Sequence, residues 1–232
     1  MINNSEPYIA PPEWEVKGIC LGQTILKTKV PLDVFNAINY IFENKYEELP
    51  NASPVLVGKI KTEKSLFSNN NTLTEGPHNF LPIIVTEYLK KIVEIYLKWN
   101  QADVLSTDLN SVWINEMTAN EYNPIHVHKG NIATGLSSVM GLKIPDSYGE
   151  EVSYKSNPLN GELQLLGNST GQFSTVDYSP FLKERDFIVF PYDIRHTVYP
   201  FNGDGHRRTL AANIDVDYNS LSSRGTTRGL PL

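Results

Sequence analysis

The sequence predicts a mainly β fold, a sandwich or barrel, preceded by helices near the N-terminus. Two observations carry this. From about Asn110 onward, short apolar runs recur between Gly, Pro, Asn and Asp, the pattern of many short strands joined by turns. Before that point, two stretches place apolar residues at helical rather than strand spacing. With 232 residues, 40% of them hydrophobic and 20% charged, the chain can bury one substantial core. A single domain over 1–232 is expected: a helical and loop support region at 1–108, the β core at 109–217, and a loose tail at 218–232 whose run from Ser220 is small and polar.

The first helix is expected from Pro31 to about Glu48. Proline suits a helix start, and Val34, Phe35, Ile38, Ile41 and Phe42 come after it on one face. Residues 50–79 are rich in Asn, Ser, Pro and Gly and read as one long loop; loops of that length are usually lids or binding loops. A second helix is expected from about Asn79 to Trp99, where Leu81, Ile84, Val85, Tyr88, Leu89, Ile92, Ile95 and Tyr96 form a broad apolar stripe suited to packing on a sheet. Strands are expected at Ser111–Met117, Ile125–Lys129, Gly135–Ile144, Gly161–Leu166, Phe187–Phe190, Thr197–Tyr199 and Thr209–Val216.

Charge and composition narrow the function classes. A net charge of −6 without a Lys/Arg cluster argues against a nucleic-acid partner, because phosphate neutralisation needs clustered cations. The first residues lack the basic and apolar regions of a secretory signal, and no stretch approaches a membrane span, so a soluble, cytoplasmic protein is expected. Cys20 is the only cysteine, so a transition metal would have to be held by His, Asp or Glu.

The histidines are placed unevenly. His126 and His128 stand two apart in an expected strand, and side chains at i and i+2 share a face, so two imidazoles enter one space. A third ligand must come from elsewhere. His196 comes after Phe187-Ile188-Val189-Phe190-Pro191-Tyr192, a buried-strand pattern ending in a turn that can deliver it. Three protein ligands on one side of a metal leave positions open for substrate, the arrangement oxygen-activating iron requires. A His-x-His pair by itself is more often an ordinary half-buried pair than a metal site. His78 and His206 have no partner at ligand spacing and read as structural or exposed.

The stretch beyond His196 is more specific. Arg207 and Thr209 come eleven and thirteen residues after it, at i and i+2 on one expected strand face, with Arg208 pointing the other way. This resembles the distal motif of the 2-oxoglutarate and iron(II)-dependent oxygenases, in which the last metal histidine is succeeded by Arg-x-Ser or Arg-x-Thr. The proximal half is similar too. Trp113-x-Asn115, Tyr122-Asn123-Pro124-x-His126-x-His128 and Leu136 to Pro145 resemble a branch reading N-P-x-H-x-H and then L-S-G-V-Y-Y-x-x-x-P, and Phe190-Pro191 before His196 also fits.

The resemblance covers about residues 110–217. It implies a jelly roll (double-stranded β-helix, cupin-like) flanked by two helices, with Fe(II) held by His126, His128 and His196. It also implies 2-oxoglutarate at Arg207 and Thr209, O2 as the other co-substrate, and hydroxylation of a protein side chain or small metabolite, prolyl hydroxylation being one such reaction. A guanidinium fork plus a hydroxyl is the donor set that a far carboxylate needs. Asn115 and Asn213 are candidates for hydrogen bonds to the co-substrate or a metal-bound water, with turn capping as their plainer role.

Two departures from the family pattern stand out. The wider superfamily has His-x-Asp, so either His128 replaces the carboxylate or another residue supplies it; Asp193 is the nearest spare one, better suited to a turn or an outer partner. Ser138-Val139-Met140-Gly141 stands where the branch has Gly-Val-Tyr-Tyr, which removes two aromatic hydroxyls. Two other readings remain: a three-histidine cupin-type dioxygenase or isomerase working without 2-oxoglutarate, and a non-catalytic jelly-roll binding module.

Overall fold

The computed structural model describes residues 15–20, 22–69, 76–150, 158–167 and 176–220. The strands are β1 (Val16–Cys20), β2 (Thr24–Lys29), β3 (Thr62–Ser68), β4 (His78–Asn79), β5 (Ala102–Met117), β6 (Asn123–His126), β7 (Gly135–Lys143), β8 (Leu163–Leu166), β9 (Asp177–Tyr178), β10 (Asp186–Pro191), β11 (Arg195–Val198) and β12 (Arg207–Ser220); the helices are α1 (Leu32–Asn44) and α2 (Ile83–Trp99). The strands form two antiparallel sheets, an eight-stranded one in the order β1-β2-β10-β7-β12-β5-β3-β4 and a four-stranded one in the order β6-β11-β8-β9. This is the mainly β, jelly-roll architecture that the strand pattern and the resemblance predicted.

Alternation along the strands gives the large sheet two different faces. On one, Val112, Ile114, Met140, Phe187, Val189, Leu210, Ala212 and Ile214 pack with Val34, Ile38, Val85, Leu89 and Ile92 of the helices. Each such fully buried aliphatic or aromatic side chain contributes about 1.5–3 kcal/mol. The other face meets the small sheet through Ile25, Met117, Leu163, Leu165, Ile188 and Phe190. Further along this second face, the residues of β12 are Arg207, Thr209, Ala211 and Asn213, so the alternation that buries Leu210 and Ala212 against helices also turns polar side chains inward.

Both helices are shorter than the spacing suggested. Pro31 precedes α1, Asp33 in its first turn favours the positive helix end, and the helix stops at Asn44, beyond which residues 45–49 turn. Helix α2 begins after Pro82, not at Asn79, because proline holds the residue before it extended; Asn79 instead lies in β4 and pairs with Phe67 of β3.

The 50–79 segment is not one long loop. Residues 62–68 form β3, hydrogen-bonded along β5, and this part cannot swing as a lid. Its sequence concealed the strand because its inward residues are Glu63 and Ser65, both buried, so no apolar alternation marks it. Strands β1 and β2 were likewise not expected in the N-terminal region, and β5 begins at Ala102 because the far half of β12 gives it a partner. The end of the expected loose tail, 221–232, lies outside the described residues. Among the described residues, no helix is long and apolar enough to cross a membrane.

Candidate metal centre

Strands β6 and β11 lie antiparallel with His126 directly opposite His196, and their rings are 4.2 Å apart between centroids. His128 stands just beyond the end of β6 rather than within a strand. Its backbone N–H donates to the Tyr192 carbonyl at 3.0 Å, which turns its ring back to 5.0 Å from His126 and 4.9 Å from His196. One ligand nitrogen from each of the three lies within 4.8 Å of the others, and Asp193 is not in the group but exposed, accepting a hydrogen bond from Gln23. The turn that carries His128 is clamped from below. The Asp215 carboxylate accepts the Tyr192 hydroxyl at 3.0 Å and the Asn131 N–H at 2.8 Å, and a Cβ at Gly130 would fall inside that carboxylate.

The outer ring nitrogens are occupied. His126 Nδ1 is 2.7 Å from the Pro124 carbonyl and His196 Nδ1 is 3.0 Å from the Ile194 carbonyl. A carbonyl can only accept, so both rings carry their proton on Nδ1 and offer Nε2 inward. His128 Nε2 is 3.1 Å from His196 Nε2. Two nitrogens about 2.1 Å from one metal and at right angles to it lie about 3.0 Å apart, so this pair has the spacing of adjacent ligands. Burial, with the neighbouring His126 adding to it, holds His196 down to about 3, and burial with both neighbours holds His128 well below its ordinary value. Burial lowers His126 as well. All three rings are therefore neutral near pH 7, the form that binds metal.

Arg207 begins β12 opposite Met117 and is only 1% exposed. Its Nη1 lies 3.5 Å from the Thr209 hydroxyl, while Nε and Nη2 have no hydrogen-bond partner. A cationic fork kept dry with two unanswered donors is costly unless an anion meets it. Arg207, Thr209 and Asn115 line the same narrow cavity as the three histidines, with about 30 Å3 of free volume. The Asn115 carbonyl oxygen is buried there without a partner. Asn213 is placed differently, with its amide 3.2 Å from His128 Nδ1. Arg208 points away from the cavity to Glu116, at 2.8 Å, and lies over the Phe42 ring.

His78 hydrogen-bonds Ser65 at 2.8 Å, and His206 is half exposed beside Glu116. Trp113 lies with its ring 6.0 Å from that of His128, whereas Tyr122 is exposed. Sequence reading missed Tyr148 and Glu162. Burial raises both, and the nearby Arg207 charge pulls both back. Neither carries a local signal, since each reaches the site from a connecting segment.

Residues 111–213 match the model of a family described as "Putative 2OG-Fe(II) oxygenase". No curated protein matches the sequence. Among solved structures, the chain is similar to a Pseudomonas putida prolyl-4-hydroxylase, at 12% identity over 87% of this chain and 91% of that one, with a TM-score of 0.51. A prolyl hydroxylase from Trichoplax adhaerens, in complex with a hypoxia inducible factor degradation-domain peptide, is 13% identical over 88% of this chain and 86% of that one, with a TM-score of 0.50. The non-haem α-ketoglutarate-dependent carbocyclase of nogalamycin biosynthesis is 11% identical over 85% and 82%, with a TM-score of 0.51. At such identities these three structures establish the shared fold, while the family match covers the core strands from β5 to β12.

Proposed function

We propose that His126, His128 and His196 hold iron(II) and that Arg207 and Thr209 hold the far carboxylate of 2-oxoglutarate in a hydroxylase, a reading supported by the match of residues 111–213 to the 2OG-Fe(II) oxygenase model. The observation that carries this reading is Arg207. A guanidinium 1% exposed, with Nε and Nη2 unpartnered, opens on the cavity that the three imidazoles share. A dicarboxylate answers both demands at once, chelating at one end and accepting from the fork at the other.

The residues fit the group in three respects. The inward Nε2 atoms of His126 and His196 are fixed by carbonyls behind them, the His128–His196 nitrogen distance is that of adjacent ligands, and the anion's counter-charge is already buried. When bound, iron(II) and 2-oxoglutarate supply the reaction with O2 that yields succinate, CO2 and a substrate C–H bond converted to C–OH. The chain's own part is to orient and to exclude water. Thr209 offers a hydroxyl beside the fork, the Asn115 carbonyl oxygen lies in the same cavity as an unpartnered acceptor, and Phe190 packs beside His196 with their ring centroids 4.8 Å apart.

The substrate class we infer first is a prolyl side chain. Support comes from the fold shared with two prolyl hydroxylases and from Ile60, Leu163 and Val198, apolar residues that line the histidine cavity. One observation favours a second reading: no carboxylate joins the histidine group among the described residues, as in three-histidine dioxygenases that use no 2-oxoglutarate. That reading leaves Arg207 without a purpose.

The deciding experiment loads the protein anaerobically with Fe(II), adds 2-oxoglutarate, then O2, and quantifies succinate. Succinate formation that needs the metal, and that Arg207→Ala abolishes, is the expected result. Stoichiometric iron with no binding or turnover of 2-oxoglutarate would transfer the site to the second reading, and hydroxylation of proline-containing peptides tests the substrate class.

A further inference from the structure

We infer that Asn213 is the positioning residue that selects the tautomer of His128, its side-chain amide turning over when a metal binds; the inference rests on His126, His128 and His196 being the metal ligands. His126 and His196 each have a backbone carbonyl behind Nδ1, which settles their proton without choice. His128 does not. Behind its Nδ1 lies the Asn213 amide, 3.2 Å away, the only one of the three partners that can either donate or accept.

The two amide orientations have opposite consequences for the ring. With Nδ2 toward the ring, the amide donates to Nδ1 and the imidazole proton must sit on Nε2. That proton then points along the 3.1 Å line to His196 Nε2, which is free to accept because its own ring proton is committed to Ile194. The metal-free network is therefore self-consistent. With the carbonyl oxygen toward the ring, Oδ1 accepts from Nδ1–H and Nε2 becomes a lone pair aimed at the same point as the other two. Amide nitrogen and oxygen have nearly the same shape, so the geometry accepts either orientation. With Nδ2 toward the ring, Asn213 Oδ1 is buried with no partner. A metal on Nε2 removes the first option, since two N–H groups would then face each other across 3.2 Å. The exchange needs no oxidant or co-reactant: one ring proton leaves Nε2, one is held on Nδ1, and the amide rotates.

The test uses Zn(II) as a diamagnetic probe and long-range 1H–15N spectra of the His128 ring, alongside Zn(II) affinity by titration. Wild type is expected to carry the proton on Nε2 without metal and on Nδ1 with it. Asn213→Asp, which can only accept, is expected to hold Nδ1–H even without metal. Asn213→Ala is expected to show mixed tautomers and to bind Zn(II) roughly 10–100-fold more weakly, with an unchanged far-UV spectrum. The inference is overturned if the metal-free tautomer is the same in wild type and Asn213→Asp, or if Asn213→Ala binds Zn(II) as wild type does. A wild type that binds no Zn(II) at these rings sinks the metal reading instead, and the metal-free comparison still judges Asn213.

Discussion

His126 and His196 occupy directly opposed positions of the β6–β11 ladder, which sets their rings 4.2 Å apart. The geometry of the proposed metal site is thus inherited from strand register, and a slip of one residue would send either ring to the opposite face. His126 is the less buried of the pair, so His126→Ala removes a proposed ligand with little loss of packing. Stoichiometric Fe(II) or Ni(II) binding is expected to fall at least about 100-fold, with the thermal midpoint of the metal-free protein nearly unchanged. Retained stoichiometric metal, measured by elemental analysis after desalting, would remove His126 from the site.

Arg207 separates stability from binding. An apolar side chain of similar length removes the cost of burying a guanidinium with two unanswered donors, and removes as well its attraction to the buried Glu162, so the two effects oppose each other. The metal-free Arg207→Met protein is therefore expected to melt close to the wild-type temperature. Its affinity for 2-oxoglutarate is expected to drop roughly 100-fold, equivalent to about 2–3 kcal/mol. Saturating 2-oxoglutarate should raise the melting temperature of metal-loaded wild type and leave that of the variant where it was. A variant that melts lower and still binds the acid would contradict both halves.

The sequence was legible where its signal was local. Arg207 and Thr209 could be paired because i and i+2 share a strand face, whereas His128 lies beyond β6 and meets His126 through the turn bonded to Tyr192; the helix stripes were readable because each buries against one apolar surface. Strand β3 was not readable, since its inward residues, Glu63 and Ser65, serve a polar face and break the alternation that marks a strand. Asn213, expected at the co-substrate or in a turn, lies behind His128, a relation set by β12 and the turn after β6 that no spacing encodes. Tyr148 and Glu162 were invisible for the same reason.

Glu63 should leave a mark on stability against pH. Burial, reinforced by Glu121 and opposed by a Ser53 hydrogen bond, raises it from the ordinary 4.5 to about 7. The folded state therefore binds this proton more tightly than the unfolded state. Its contribution is present in full below about pH 4.5 and is lost as pH rises through about 7. Glu63→Gln cannot ionise, so it is expected to match wild type near pH 5 and to be more stable by about 1–3 kcal/mol at pH 8. Denaturant melts at the two pH values check this, and a constant difference between the two proteins would show that Glu63 does not titrate in the window.

Asp215 ties the turn that carries His128 to the sheet, so its removal should reach the proposed metal site without touching a proposed ligand. Its carboxylate accepts from the Tyr192 hydroxyl and from the Asn131 N–H, and the Tyr192 carbonyl in turn accepts the His128 N–H at 3.0 Å. Asp215→Ala leaves two donors unanswered, each hydrogen bond to a charge being worth about 1.5–3 kcal/mol. The expected outcome is a loss of about 2–4 kcal/mol in stability, faster amide exchange at His128 and Asn131, and weaker metal binding. Lower stability alone would produce only the first of these. Gly130→Ala separates the two, because its Cβ collides with the same carboxylate while every polar group remains. If the clamp positions His128, both variants should weaken metal binding and loosen the same amides. Wild-type metal affinity in Gly130→Ala, with that turn displaced, would mean that the ring of His128 finds the metal without help from the segment below it.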